Sequence, residues 1–156
     1  MVEEKTKMKK QVKRDYTYAV GRRKEAVARV RLYNHVKDDS KWGENVVVKG
    51  QILVNEMPVE HYFPGPIAKA KYMRPLSLVD VTEKFAITVK VIGGGRSGQL
   101  DAMIHGISRA LAAIDVTKYR PVLKKAGMLT RDARVRERRS IGTGGKARRQ
   151  KSSPKR

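Results

Sequence analysis

The chain has 156 residues, 36 of them Lys or Arg against 15 Asp or Glu, for a formal net charge of +21. That length suits one domain with a core of ordinary size. The absence of cysteine excludes disulfides, thiol catalysis and cysteine-ligated zinc, and the absence of an apolar run of about eighteen residues excludes a membrane-spanning helix.

The charge is uneven. Residues 1–14 carry net +4, the much longer stretch 15–117 also carries net +4, and residues 118–156 carry net +13. A near-balanced body with a strongly basic end predicts a fold plus an interaction arm. Nucleic acid is the natural partner, because neutralising phosphates releases counterions. A membrane surface is not expected: residues 127–156 hold no Trp or Phe and one Leu, Leu129, whereas surface-binding helices need an apolar face. Met1–Lys5 lacks the apolar stretch of a signal peptide, so a cytoplasmic protein is expected.

In chain order, residues 1–14 are polar and lysine-rich and read as a flexible basic lead-in. Tyr16 to Tyr33 reads as a strand, broken near Gly21. From Ala26 it alternates: Ala26, Ala28, Val30 and Leu32 share one face, and Val27, Arg29, Arg31 and Tyr33 the other. Arg29 and Arg31 fit either a solvated face or a pair aimed at phosphates, which suit the planar guanidinium fork. Asn34 to Asn45 reads as a long polar hairpin loop, with Trp42 either a loop anchor or a stacking contact. Val46 to Val54 is β-branched and predicts a strand pairing back on the first. Pro58 to Phe63 predicts one helical turn, and Ile67 to Leu78 a helix interrupted at Pro75.

Lys84 to Ile92 alternates again, with Phe85, Ile87, Val89 and Val91 on one face. A glycine run follows, and then the strongest helix of the chain. Its stripe is Leu100, Met103, Ile104, Ile107, Ala110, Leu111 and Ile114, with Ser97 the expected N-cap. Lys118 to Ala126 predicts a last short helix ended by Gly127. The result is an α+β two-layer sandwich: a mostly antiparallel sheet of about four strands, helices on one face and the other face free. Residues 15–126 form the globular domain and 127–156 an extended basic tail. Fully extended, the last 26 residues would span at most about 90 Å.

Gly93-x-Gly95-x-x-Gly98 sits between a strand and a helix, as a dinucleotide-binding fingerprint requires. No strand is readable after Asp115, and the remaining chain is too short for a dinucleotide fold. Two readings survive: a backbone-and-Arg96 cradle for RNA phosphates at a helix start, and a tight turn without a ligand. His35, His61 and His105 show no metal-ligand spacing. No enzyme activity, cofactor or metal is expected.

Three blocks carry a family resemblance. Tyr18 to Arg31 reads YAVGRRKEAVARVR. Gly93 to Leu111 holds the glycine run, Ser97-Gly98-Gln99 and the helix IHGISRAL. The third runs GMLTRDAR from Gly127, then Glu137-Arg138 and GKARR from Gly145. Together they resemble the S-nine family of small-subunit ribosomal proteins, in its bacterial or organellar form. The resemblance implies an α+β fold with a left-handed βαβ unit, seated on the head of the small ribosomal subunit beside neighbouring head proteins. It implies binding to small-subunit rRNA, and a tail reaching the anticodon stem-loop of peptidyl-site tRNA. Two departures stand out: a longer Asn34–Asn45 loop, and a tail ending Ser-Pro-Lys-Arg where the family commonly has an aromatic residue before Ser-Lys-Arg.

The expected rRNA contacts are Arg22, Arg23, Lys24, Arg29 and Arg31, then Gly93, Gly94, Gly95, Arg96 and Ser97. In the tail they are Arg131, Arg134, Arg136, Arg138, Arg139, Lys146, Arg148, Arg149 and Lys151. The expected tRNA contacts are Lys155 and Arg156. The rival reading is a free-standing nucleic-acid-binding or RNA-chaperone module, which charge alone does not exclude.

Overall fold

The computed structural model describes residues 16–34, 41–43 and 45–139. Strands β1 (Tyr16–Arg23) and β2 (Ala26–Tyr33) form an antiparallel hairpin, paired from Tyr16↔Tyr33 to Arg23↔Ala26. The chain therefore reverses at Lys24-Glu25, with Lys24 at φ 49°, and not near Gly21. Gly21 stays inside β1, where its missing side chain serves packing.

A short ribbon, β3 (Lys41–Trp42) and β4 (Asn45–Val46), comes next. Then follow β5 (Ile52–Val54), β6 (Met57–Pro58), α1 (Val59–Tyr62), α2 (Pro66–Ser77) and β7 (Ala86–Ile92). The main sheet has five strands in the order β1-β2-β7-β5-β6, so the expected four become five through the two-residue β6. Only β5–β7 is parallel. Its crossover through α1 and α2 makes a βαβ unit.

The expected pairing of Val46–Val54 with the first strand does not occur. β7 occupies that edge of β2 over seven residue pairs, Val27↔Ile92 to Tyr33↔Ala86. A turn at Lys49-Gly50 splits the segment, and only Ile52, Leu53 and Val54 enter the main sheet, all buried. An apolar run without alternation is what a strand covered on both faces requires.

Helix α2 continues through Pro75 instead of breaking there. The ring forfeits one helical hydrogen bond in the last turn. Burial of Tyr72, Pro75 and Leu76 holds the helix in place.

Helix α3 (Arg96–Ile114) lies across β1 and β2. Met103, Ile107 and Leu111 are fully buried on its inner stripe, each contributing about 1.5–3 kcal/mol by leaving water. The helix reaches this close because two glycines meet. A Cβ on Gly21 would stand 1.9 Å from the Ala102 carbonyl oxygen, and one on Gly106 2.6 Å from Val30 Cγ2. α3 also closes the sheet edge: the Arg109 guanidinium donates to the Val20 carbonyl at 2.6 Å, and the Arg22 N–H donates to His105 Nδ1 at 3.4 Å. Two outward backbone groups of an edge strand, the Val20 carbonyl and the Arg22 N–H, are thereby occupied.

Gly95, not Ser97, is the N-cap of α3; Ser97 is the second helical residue. Gly93 and Gly94, at φ 76° and 63°, finish the reversal early enough for the helix to begin at Arg96.

Asp115 ends α3 and its carboxylate accepts from the N–H groups of Thr117 and Lys118 and from the Thr117 hydroxyl. Helix α4 (Tyr119–Lys125) follows. It stops at Gly127 in a Schellman motif: Gly127 N–H donates to the Lys124 carbonyl and Met128 N–H to that of Leu123, each at 3.0 Å. From Arg131 to Arg139 the chain has no regular secondary structure.

Candidate nucleic-acid interface

Register divides the sheet into two unlike faces. Ala19, Gly21, Ala28, Val30, Leu32, Ile87, Val89 and Val91 turn to α3. The opposite face of β1, β2 and β7 carries Tyr16, Tyr18, Arg22, Arg29, Arg31, Thr88 and Lys90. No acidic residue stands in any of these three strands. Arg29 lies beside Lys90, and Arg31 between Tyr18 and Thr88. Both arginines are exposed, as the alternating pattern requires.

At the end of this sheet nearest the β1–β2 turn, four segments converge. The glycine run packs onto the turn: a Cβ on Gly93 would lie 2.5 Å from the Glu25 carbonyl oxygen, and one on Gly94 3.0 Å from Ala26 Cβ. Those two glycines are thus accounted for by close approach and positive φ, whereas a Cβ on Gly95 would meet nothing within 4 Å. A polar relay holds the run from behind. Asn55 pairs with both backbone groups of Val91, and its amide also lies 3.4 Å from the Tyr62 hydroxyl. That hydroxyl donates to Gln99 Oε1 at 2.9 Å, and the Gln99 amide donates to the Gly93 carbonyl at 3.0 Å. Gln99 stood in the Ser97-Gly98-Gln99 motif, which did not show it as a brace, and Asn55 and Tyr62 stood in no motif. Asn55 opens the turn between β5 and β6, where asparagine tolerates the left-handed backbone it adopts at φ 47°.

The tail root completes the convergence. Arg23 reaches across to Asp132 at 2.9 Å and to the carbonyls of Asp132 and Arg134 at 3.3 and 3.2 Å, with Asp101 of α3 at 3.6 Å. Arg134 doubles back on Asp132 at 2.6 Å. This hydrogen bonding, with the Arg134 and Arg23 charges, holds the Asp132 carboxyl far below its ordinary range. Nearby, His105 accepts from Arg22 N–H through Nδ1 and so offers its Nε2 hydrogen to the Leu129 carbonyl at 3.3 Å. Burial lowers its pKa, assisted by the Arg109 and Arg131 charges and opposed by that Leu129 bond.

The structure therefore separates the sequence-chosen residues. Arg22, Lys24, Arg96, Ser97, Arg131, Arg136 and Arg138 are exposed. Arg29 and Arg31 share the open face with Arg22 and lie further along the strands from the β1–β2 turn. Arg23 is engaged within the protein and Arg134 is paired to Asp132. Arg139 is half-buried. Lys146, Arg148, Arg149, Lys151, Lys155 and Arg156 lie outside the described residues, as does most of the Asn34–Asn45 loop. Trp42 packs beside the small cluster of Val47, Leu53 and Ala86 and also borders the open face. Tyr16, Tyr18 and Lys90 join that face; Tyr18 opened the first resemblance block and Lys90 stood in an alternating segment, but none of the three was chosen as a contact.

Cations without acids on the described face of the three strands, and a cation-rich segment clasped to the same body, are chemistry for a polyanion. The class they define is a nucleic-acid-binding protein with a folded body and a basic arm. A profile of the ribosomal protein S9/S16 family matches residues 21–156. The small ribosomal subunit protein uS9 of Solidesulfovibrio magneticus is 45% identical over 131 residues, 84% of this chain and 90% of the relative. That of Maridesulfovibrio salexigens is 46% identical over 132 residues, covering 85% and 91%. That of Anaeromyxobacter sp. strain K is 47% identical over 126 residues, covering 81% and 86%. The chain belongs to the ribosomal protein S9 family.

Proposed function

We propose that the protein is a structural component of the small ribosomal subunit, holding rRNA with its body and reaching peptidyl-site tRNA with the tip of its tail. The carrying observation is the family match, whose bounds run from Gly21 in β1 to Arg156 at the end of the basic tail. On this reading Arg22, Lys24, Arg96 and Arg131 take phosphates at the convergent end of the sheet, and Gly95 leaves room for an RNA backbone there. Arg29 and Arg31 take phosphates on the open face. Arg23 and Arg134 act through Asp132, setting the direction in which the tail leaves the body. Arg136, Arg138, Arg139, Lys146, Arg148, Arg149 and Lys151 follow the rRNA, and Lys155 and Arg156 meet the anticodon stem-loop. Ordering such an arm costs about 1–2 kcal/mol per residue, which many simultaneous phosphate contacts offset. Phosphate contacts position without reading sequence, so specificity falls to RNA shape and the docked body. Neighbouring proteins of the subunit head are the remaining partners.

The test is sedimentation of a lysate through sucrose at moderate and high salt. Co-migration with small subunits that survives high salt is expected; a chain confined to the top of the gradient at both salts overturns the reading. Deleting Ser153–Arg156 is expected to leave assembly intact and to weaken tRNA binding at the peptidyl site. Unchanged tRNA affinity would remove the tip from the mechanism.

A further inference from the structure

The open face of the sheet holds a concavity that phosphate binding alone does not explain. It encloses about 460 Å³ and is lined by Tyr16, Tyr18, Arg29, Arg31, Trp42, Thr88 and Lys90. That volume falls within the range of about 300–1,000 Å³ typical of sites for small organic groups. Three aromatic rings and three cations share the lining with a single threonine. Tyr18 is 45% exposed although it sits mid-strand. The Arg31 guanidinium lies 5.1 Å from the Tyr16 ring centroid, and the Tyr16 ring is tilted at 52° to that of Tyr33, 5.5 Å away, so a cation and a ring already meet on this wall. A purely electrostatic patch needs no such rings. A purely apolar contact would not place three cations beside them with no acid among the described residues of the lining.

We infer that this concavity seats an unpaired base of a single-stranded RNA segment, stacked among Tyr16, Tyr18 and Trp42, with flanking phosphates on Arg29, Arg31 and Lys90. Aromatic side chains on an open sheet face are a general solution for unstacked bases, because every base offers a π-face and the backbone alongside needs cations. The register supplies the geometry: Tyr18 is paired with Arg31 and Arg29 with Lys90, so a ring row runs beside a cation row. Trp42 arrives from the β3–β4 ribbon and stands as the wall of the pocket.

The inference rests on the reading of the chain as an RNA-binding protein, but its test does not need the ribosome. Trp42 is the only tryptophan in the chain, so intrinsic fluorescence of the full-length protein reports on this pocket. Titration with a short unstructured oligouridylate is expected to give saturable quenching. Inorganic polyphosphate, which carries the charge without bases, is expected to bind without it. Tyr18→Ala is expected to weaken oligouridylate binding roughly tenfold, and Tyr18→Phe, which keeps the ring, to restore it. Equal quenching by polyphosphate or an acidic peptide would overturn the proposal, as would Tyr18→Ala binding like the parent. Saturable quenching by uridine monophosphate alone at the same concentration would assign the site to a free nucleotide and overturn it too. A protein that sediments with small subunits yet shows no base-dependent quenching loses the pocket and keeps its ribosomal role. One that quenches yet stays at the top of the gradient loses the role and keeps the pocket.

Discussion

Gly21 and Gly106 show how much one missing Cβ can decide. Their backbones meet where α3 crosses β1, with no room for a methyl group on either side. Overpacking a core costs about 1–3 kcal/mol. Gly106→Ala is expected to destabilise by at least that amount, since its Cβ would meet the Val30 side chain at 2.6 Å and the Gly21 nitrogen at 3.1 Å; Gly21→Ala is expected to cost more, since the Ala102 oxygen and Gly106 nitrogen it would meet at 1.9 and 2.4 Å are both backbone. Urea unfolding monitored by circular dichroism measures both, and a Gly21→Ala midpoint equal to the parent's would refute the close approach. Gly21 was visible as part of a motif, but its purpose was not, because its partner lies 85 residues away in sequence. His105 is a second case. Its pKa is lowered in the fold, so the folded protein binds fewer protons than the unfolded chain as pH falls below the ordinary histidine value. Stability present at neutral pH is therefore lost as pH falls from about 6.5, levelling off once the folded-state pKa is passed. Groups facing the ring are Arg22 from β1, Arg109 from α3 and Arg131 from the tail root. Unfolding at pH 7.5 and 5.5 should show the loss, and His105→Asn should show less of it.

The elements differ in how openly they declare themselves. β2 and β7 alternate with period two, and α3 carries an unbroken apolar stripe, so their types and inner faces were readable from local pattern alone. β5 was not, because a three-residue run buried on both faces has no alternation to reveal its partner. Helix α2 ran through Pro75 for a reason absent from local sequence, namely burial of its last turn. The tail root is also a matter of meeting partners. Arg23 looked like another phosphate ligand in a basic run, yet it clasps Asp132, 109 residues onward. Arg23→Gln is expected to speed amide exchange across residues 131–134 while leaving exchange in β2 and β7 unchanged. Strong acid should loosen the same clasp, read as a lower protection factor at the Arg134 amide, which donates to Asp132, once the intrinsic slowing of exchange in acid is divided out. The Asp132 pKa is depressed in the fold, so its contribution is complete above the ordinary carboxylate value of about 4 and is lost as pH falls below it. Exchange at 131–134 that is indifferent to Arg23→Gln would mean the clasp does not hold the tail.

At the scale of the whole molecule, the sheet assigns α3 to one side and a basic, partly aromatic surface to the other. Salt dependence tests whether that surface works as a phosphate-binding face. Each phosphate contact contributes about 0.7–0.9 to the log–log slope of RNA affinity against salt. Arg29→Gln and Arg31→Gln are each expected to lower the slope by that amount. Lys69→Gln, which removes a lysine paired with Glu60 at 2.8 Å, is expected to leave it unchanged. Equal slopes for all three would remove the open face from RNA binding. The chain alone carried the polyanion chemistry, the α+β class, the two strongest strands, the long helix and the family, because charge, alternation and motif order are properties of neighbouring residues. Tertiary structure decided which cations are exposed and which are engaged in the protein, which strand lies parallel to β7, and why Gly21 and Gly93 must be glycine. Those are properties of residues far apart in the chain, and they exist only once packing has brought the partners together.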